Sequence, residues 1–224
     1  MKSIRYNTLT KVTNRIMVRL HLKLTCSPNS STKFEMYRQL EEYITSRTAI
    51  DEKTLAYICS FFQLKKTRRN EVLLREGEIC RHYYFVNKGC TRLFSVNDGG
   101  EESTRYFHFE DAFGTALSSF INQKPAFEFM QTVEPSELLI INRDDYFHLV
   151  ETVPQFAFIY RQILELAYIK SQERIYCFQK LEAIEKVRWV LTNQEKWLTR
   201  LSNKMVASYL GLTPQTLSRL KSKL

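Results

Sequence analysis

Near the end of the sequence, residues 206 to 220 read VASYLGLTPQTLSRL. Gly211 stands between two short stretches of helical periodicity, and that placement admits few folds. A sharp turn between helices needs a residue in the left-handed region, which glycine enters most cheaply. Four residues earlier, Ala207 is small enough to let two helices cross closely. Val206, Leu210, Leu212, Leu217 and Leu220 occupy the positions that must close a core between them. Ser202 suits the cap of the first helix, Thr213 the cap of the second, and Pro214 the second helix's opening turn. These are the constrained positions of a helix-turn-helix, each filled by a suitable residue.

The outward face of the second helix carries Gln215, Ser218, Arg219 and Lys223, with no carboxylate. Arginine can bond guanine bidentately and glutamine can pair with adenine in a major groove. Gln215, Ser218 and Arg219 are therefore candidates for base contact. Lys204, Thr213, Lys221 and Lys223 are candidates for the phosphate backbone, where affinity is gained with little specificity. A purely structural helical hairpin is the alternative.

Charge favours an acidic partner for this end. Residues 180–224 hold nine Lys/Arg against three Asp/Glu, and no acid follows Glu195. Residues 34–179 are mildly acidic, with 17 basic and 21 acidic residues. Residues 1–33 hold seven basic residues and no acid. A basic cluster at one end is the footprint of a nucleic-acid-binding element.

The middle of the chain reads as antiparallel β structure. Short runs (EVLL, HYYFV, TRLFSV, STRYFHF, FEFMQTV, ELLII) alternate with turn signals between residues 71 and 141. Five of the six glycines fall at or beside the expected strand ends. That spacing predicts a jelly-roll or sandwich barrel, preceded by helices at FEMYRQLEEYI and DEKTLAYICSFF, the latter capped by Asp51. The expected class is therefore α+β. Pro154 opens a long helix in which Phe156, Ile159, Ile163, Leu166 and Ile169 form an apolar stripe. The stripe suits either a dimer seam or packing on the chain's own barrel, and the seam is preferred because the barrel before it is already complete. LEAIEKVRWVL supplies another amphipathic helix. The expected organisation is a basic, poorly ordered extension at 1–35, a barrel at 36–153, a connecting helix at 154–180 and the helix-turn-helix at 181–224. RIMVRLHLKL in the extension alternates like an isolated strand, CSPNSSTK reads as a linker, and Met36 is an alternative start.

Other classes find little support. No apolar run is long enough for a bilayer and no signal-peptide core is visible, so a cytoplasmic location is expected. Five cysteines without a C-x-x-C pair argue for free thiols. A metal-dependent jelly-roll enzyme needs clustered histidines, whereas His82, His108 and His148 are scattered. No catalytic residue, metal ligand or cofactor is assigned.

The order of helices, glycine-punctuated barrel, long helix and closing VASYLGLTPQTLSRLKSKL resembles the Crp/Fnr family over most of residues 36–224, particularly its Bacteroidetes-type members. The resemblance implies a homodimeric transcription regulator with a cyclic-nucleotide-binding-like sensor barrel. Its partners would be an inverted-repeat operator, with half-site centres one helical turn, ~34 Å, apart, an unknown small-molecule effector and, for activation, RNA polymerase. The effector positions depart from the family's pattern. The family's Phe-Gly-Glu turn is here Phe113-Gly114-Thr115, and the phosphate-binding Arg position falls at Ala126 or Phe127. Lys124 is the sole Lys or Arg between Arg105 and Arg143. Ordinary cyclic AMP binding is therefore not expected. The family's β wing is also expected to be lacking, since Leu224 closes the sequence. The alternative is a ligand-binding or protein-interaction barrel whose hairpin is vestigial.

Overall fold

The barrel is made of two four-stranded antiparallel sheets. One has the order β1 (Gln63–Thr67), β8 (Ser136–Asn142), β3 (His82–Lys88), β6 (Phe113–Gly114). The other runs β2 (Val72–Leu74), β7 (Phe129–Thr132), β4 (Thr91–Val96), β5 (Glu102–His108). The computed structural model describes residues 30–224. RIMVRLHLKL lies outside the described residues.

Two helices precede the strands, α1 (Ser30–Thr45) and α2 (Glu52–Cys59). Asp51 caps α2 by accepting the Thr54 N–H at 3.0 Å. Helix α1 begins inside the stretch read as a linker and basic extension. The reason is compositional: the strong breaker there is Pro28, and the serines and threonine beyond it disfavour a helix only weakly.

The core of the barrel is aromatic. Phe113 meets Tyr43, Phe62, Tyr83 and Phe85, and Tyr83 stacks on Tyr146 at 4.8 Å. Such stacked and edge contacts pack the β3–β6 side of one sheet against the flanking helices. A short helix, α3 (Leu117–Asn122), follows β6, and α4 (Arg143–Thr152) follows β8 directly.

The 27-residue helix α5 (Pro154–Lys180) divides by burial. Phe156, Ile159 and Ile163 are buried in the chain's own core, with Phe156 packed edge-on against Tyr146 at 5.3 Å. They are therefore unavailable to a seam between copies, which corrects the sequence expectation for these three. Leu166 and Ile169 are 46% and 51% exposed. The split follows from helical geometry: each three-residue step from Ile163 swings the side chain back by about 60°, off the core-facing line. Eleven residues after Ile163, about three whole turns, Arg174 faces the barrel again.

Helices α6 (Ala183–Asn193), α7 (Glu195–Arg200), α8 (Asn203–Leu210) and α9 (Pro214–Lys221) complete the chain. They share a core with the barrel. Cys90, Phe107 and Val133 are buried in one cluster with Val187, Val190, Trp197, Leu201 and Val206. Residues 39–224 thus form one compact body.

Candidate nucleic-acid interface

The α8–α9 hairpin is closed at both ends by its own sequence. The Ser202 hydroxyl accepts the Met205 N–H at 3.3 Å, and the Thr213 hydroxyl accepts the Thr216 N–H at 3.1 Å. Between them Gly211 adopts φ 67° and ψ 34°, the left-handed conformation. The next residue, Leu212, donates its N–H to the Ala207 carbonyl at 2.9 Å, which satisfies a helix-end acceptor. Val206, Ala207, Leu210 and Leu217 are buried, while Leu212 and Leu220 are half-buried at the rim.

Gln215, Ser218 and Arg219 are all exposed on α9. Their positions, one helical turn apart, put them on one side of the helix. The phosphate candidates are more dispersed. Lys221 is half-buried and donates to Asn203 Oδ1 at 3.2 Å, Lys223 is exposed, and the Thr213 hydroxyl is engaged in its cap. Lys204 lies on α8, its Nζ 3.9 Å from a Glu102 carboxylate oxygen on β5.

The hairpin does not stand free of the barrel. Ser208 Oγ lies 2.6 Å from Thr104 Oγ1 on β5. Phe107 of β5 packs edge-on against Trp197 at 5.1 Å and lies tilted against Tyr209 at 6.0 Å. Arg174 of α5 donates to the carbonyls of Arg105, Thr104 and Tyr209, so one guanidinium ties α5, β5 and α8 together. Burial lowers the Arg174 pKa from its ordinary value. Arg200, at the end of α7, donates to both Glu110 and Glu134 of the barrel. No local pattern pointed to Arg174 or Arg200, because their partners lie 35 to 90 residues away in the chain.

The effector positions sit elsewhere in the barrel. Phe113 is buried among the core rings, and a Cβ on Gly114 would lie 2.8 Å from the His108 ring. Thr115 is buried and donates to the His82 carbonyl at 2.8 Å, with Cys80 Sγ 3.2 Å away. Its hydroxyl is spent on the barrel's own fabric. Ala126 is buried, Phe127 is 60% exposed and Lys124 is exposed. Two residues beyond Ala126 stands Glu128, only 3% exposed, whose carboxylate accepts two hydrogen bonds from Arg105 at 2.7 and 2.8 Å. An acid, already paired, thus adjoins the place where the family would present a phosphate-binding cation.

His108 is fully buried, its Nδ1 3.4 Å from Thr91 Oγ1. Burial, with the charges of Arg105 and Lys170, pushes its pKa down to about 3, so the ring is neutral. His148 contacts the Tyr57 hydroxyl at 3.1 Å, and His21 lies outside the described residues. Cys59, Cys80 and Cys90 are buried free thiols and Cys177 is half-buried. Among the described residues no group of three His, Cys, Asp or Glu is placed to hold a metal ion.

Comparison with known proteins agrees with this architecture. Residues 64–153 match the family model described as cyclic nucleotide-binding domain. Regulatory protein HlyX of Actinobacillus pleuropneumoniae is 27% identical over 187 residues, 76% of this chain and 75% of its own. The chain is similar in sequence to regulators of the Crp/Fnr family. Among solved folds, FixK2 from Bradyrhizobium japonicum superposes with a TM-score of 0.65 at 17% identity, covering 73% of this chain and 84% of its own. The c-di-GMP responsive regulator CLP of Xanthomonas campestris gives 0.64 at 16% identity, covering 77% and 91%. At such identities these two speak for the fold alone. Among the described residues no helix is long and apolar enough to cross a membrane.

Proposed function

We propose that the chain is a sequence-specific DNA-binding transcription regulator acting as a homodimer. The observation that carries this reading is the exposed, acid-free face of α9, where Gln215, Ser218 and Arg219 stand over a buried Leu217. In this reading residues 181–224 bind DNA, 36–153 are the sensor barrel and 154–180 connect them. Gln215, Ser218 and Arg219 meet base edges, while Lys204, Thr213, Lys221 and Lys223 approach phosphates. Two relatives are named as a regulatory protein and a transcriptional activator, which supports the same role here.

Dimerisation draws support from the outer half of α5. Leu166, Ile169 and Tyr176 are exposed and recur at spacings of three and seven residues, a stripe without cover among the described residues. Pairing this stripe with a second copy removes apolar surface from water and presents two hairpins to an inverted repeat.

The barrel does not take cyclic AMP in the usual way. Thr115 offers no carboxylate for a ribose, and a phosphate near Ala126 would meet the Glu128 acid rather than a free cation. Its effector, if the barrel takes one, is of another chemistry. The docking of α8 on β5 favours a second reading, in which the hairpin is a structural part of a protein-interaction barrel.

Selection from random double-stranded DNA, with Arg219→Ala in parallel, separates the two. Enrichment of an inverted repeat that Arg219→Ala degrades supports the regulator. Retention that is equal for every sequence and identical in Arg219→Ala sinks it.

A further inference from the structure

Three cations of the terminal segment point at carboxylates of the barrel. Arg200 donates from Nη1 and Nη2 to the two Glu110 oxygens at 2.8 and 2.7 Å. Its Nε donates to Glu134 at 3.1 Å, and its Nη2 reaches the same Glu134 oxygen. Lys196 Nζ lies 3.7 Å from Glu110, and Lys204 Nζ 3.9 Å from Glu102. These carboxylates are fixed from the barrel side as well. The Gly89 N–H donates to Glu110 at 2.9 Å, and Arg92 donates to Glu102 at 2.7 Å.

We propose that this docked arrangement is a closed state of weakened DNA affinity, clasped by Arg200 on Glu110 and Glu134. The inference rests on the DNA-binding reading above. Of the nine basic residues in 180–224, three are engaged by barrel acids in this state. Each is lost to counterion release, and each acid repels an approaching phosphate. The base-reading face of α9 stays exposed, so the closed state costs phosphate affinity and leaves sequence preference intact. Opening the clasp swings cations and recognition face out together.

The test alters the barrel acids and spares every cation. Glu110→Gln/Glu134→Gln in the full chain is compared with Glu52→Gln/Glu151→Gln, which changes net charge equally at exposed sites away from the joint. Binding to a labelled random-sequence duplex and to the selected repeat is measured across a salt series. The clasp variant should bind on the order of tenfold tighter at low salt than the control, with a log–log salt slope steeper by about one to two units per protomer. Equal affinity and slope in the two folded variants overturn the proposal. A second variant, Thr104→Cys/Ser208→Cys, replaces hydroxyls 2.6 Å apart, within reach of a disulfide. Its oxidised form should bind DNA more weakly and recover on reduction. A locked form that binds as well as the reduced one also overturns the proposal. If no form, wild type included, is retained on DNA at low salt, the DNA-binding reading itself fails and the closed state with it.

Discussion

Phe107 and Trp197, ninety residues apart, meet edge to face with ring centroids 5.1 Å apart, and this contact joins the barrel to the terminal helices. Phe107 precedes His108, whose ring packs on Gly114 inside the barrel. Neighbouring residues of one strand therefore look in opposite directions, one towards the effector positions and one towards the hairpin. Alternation along a strand makes this two-faced contact automatic.

The joint should unfold with the rest of the body. Trp197→Ala removes a buried indole that contacts both Phe107 and Tyr209, and is expected to destabilise by about 3–5 kcal/mol. Chemical denaturation followed by circular dichroism measures the loss. Two separated transitions in the wild type would show instead that hairpin and barrel unfold independently.

The two halves of α5 should respond oppositely to charge. Leu166→Asp/Ile169→Asp is expected to convert a dimer to a monomer in sedimentation with a Tm near wild type at matched monomer state. Ile163→Asp places an unpaired carboxylate in the core and should abolish folding. A Leu166→Asp/Ile169→Asp protein that still sediments as a dimer places the seam elsewhere.

Acid should weaken the barrel through His108. Its folded pKa of about 3 lies below the ordinary value near 6.5, so the unfolded chain binds the extra proton between these values. Stability from this group is fully present above pH 6.5 and declines as pH falls towards 3. Denaturation midpoints compared at pH 7 and pH 5 should drop for wild type by more than for a folded His108→Gln. Equal drops would remove His108 from the account.

Arg105→Met should be costly although its own side chain is half exposed. It strands the Glu128 carboxylate, 4% exposed at its side chain, without its bidentate partner. A loss of about 3–5 kcal/mol is expected, and adding Glu128→Gln should recover much of it. A double variant no more stable than Arg105→Met would show that the guanidinium acts by packing alone.

Removing the left-handed turn tests the hairpin. Gly211→Ala meets no clash, since the nearest atom to an added Cβ is 3.5 Å away on Phe178, yet φ 67° is strained for any side chain. A loss of about 1–2 kcal/mol is expected from thermal denaturation.

Most strands were legible because aromatic and β-branched runs were punctuated by glycine, and β2, β3, β4, β5, β7 and β8 sit where those runs predicted. Helix α4 was not, since RDDYFHLVET follows β8 without a breaker; its signal was the Asn142 cap, which accepts the Asp145 N–H at 2.9 Å. Strand β1 was missed because QLKKT is lysine-rich, as an edge strand of its sheet can be. The apolar stripe of α5 was visible, but which part of it the barrel covers depends on helical phase relative to α4. At the effector turn, Thr115 and the loss of arginine were readable, whereas the Arg105–Glu128 pair required the fold. Arg200 carried no local sign at all: its meaning lies in two acids 66 and 90 residues earlier.

Arg174 holds the same joint by a different chemistry. Its guanidinium grips three neutral carbonyls and lies over the Tyr209 and Phe178 rings at 4.2 and 4.7 Å. Such a grip is little weakened by dissolved ions, while the partly exposed clasp of Arg200 is screened by them. The joint is thus built as a door, with a salt-indifferent pivot at one edge and a salt-sensitive catch at the other. Rising ionic strength should release the catch and leave the pivot engaged, so the hairpin turns about Arg174 without coming away from the barrel.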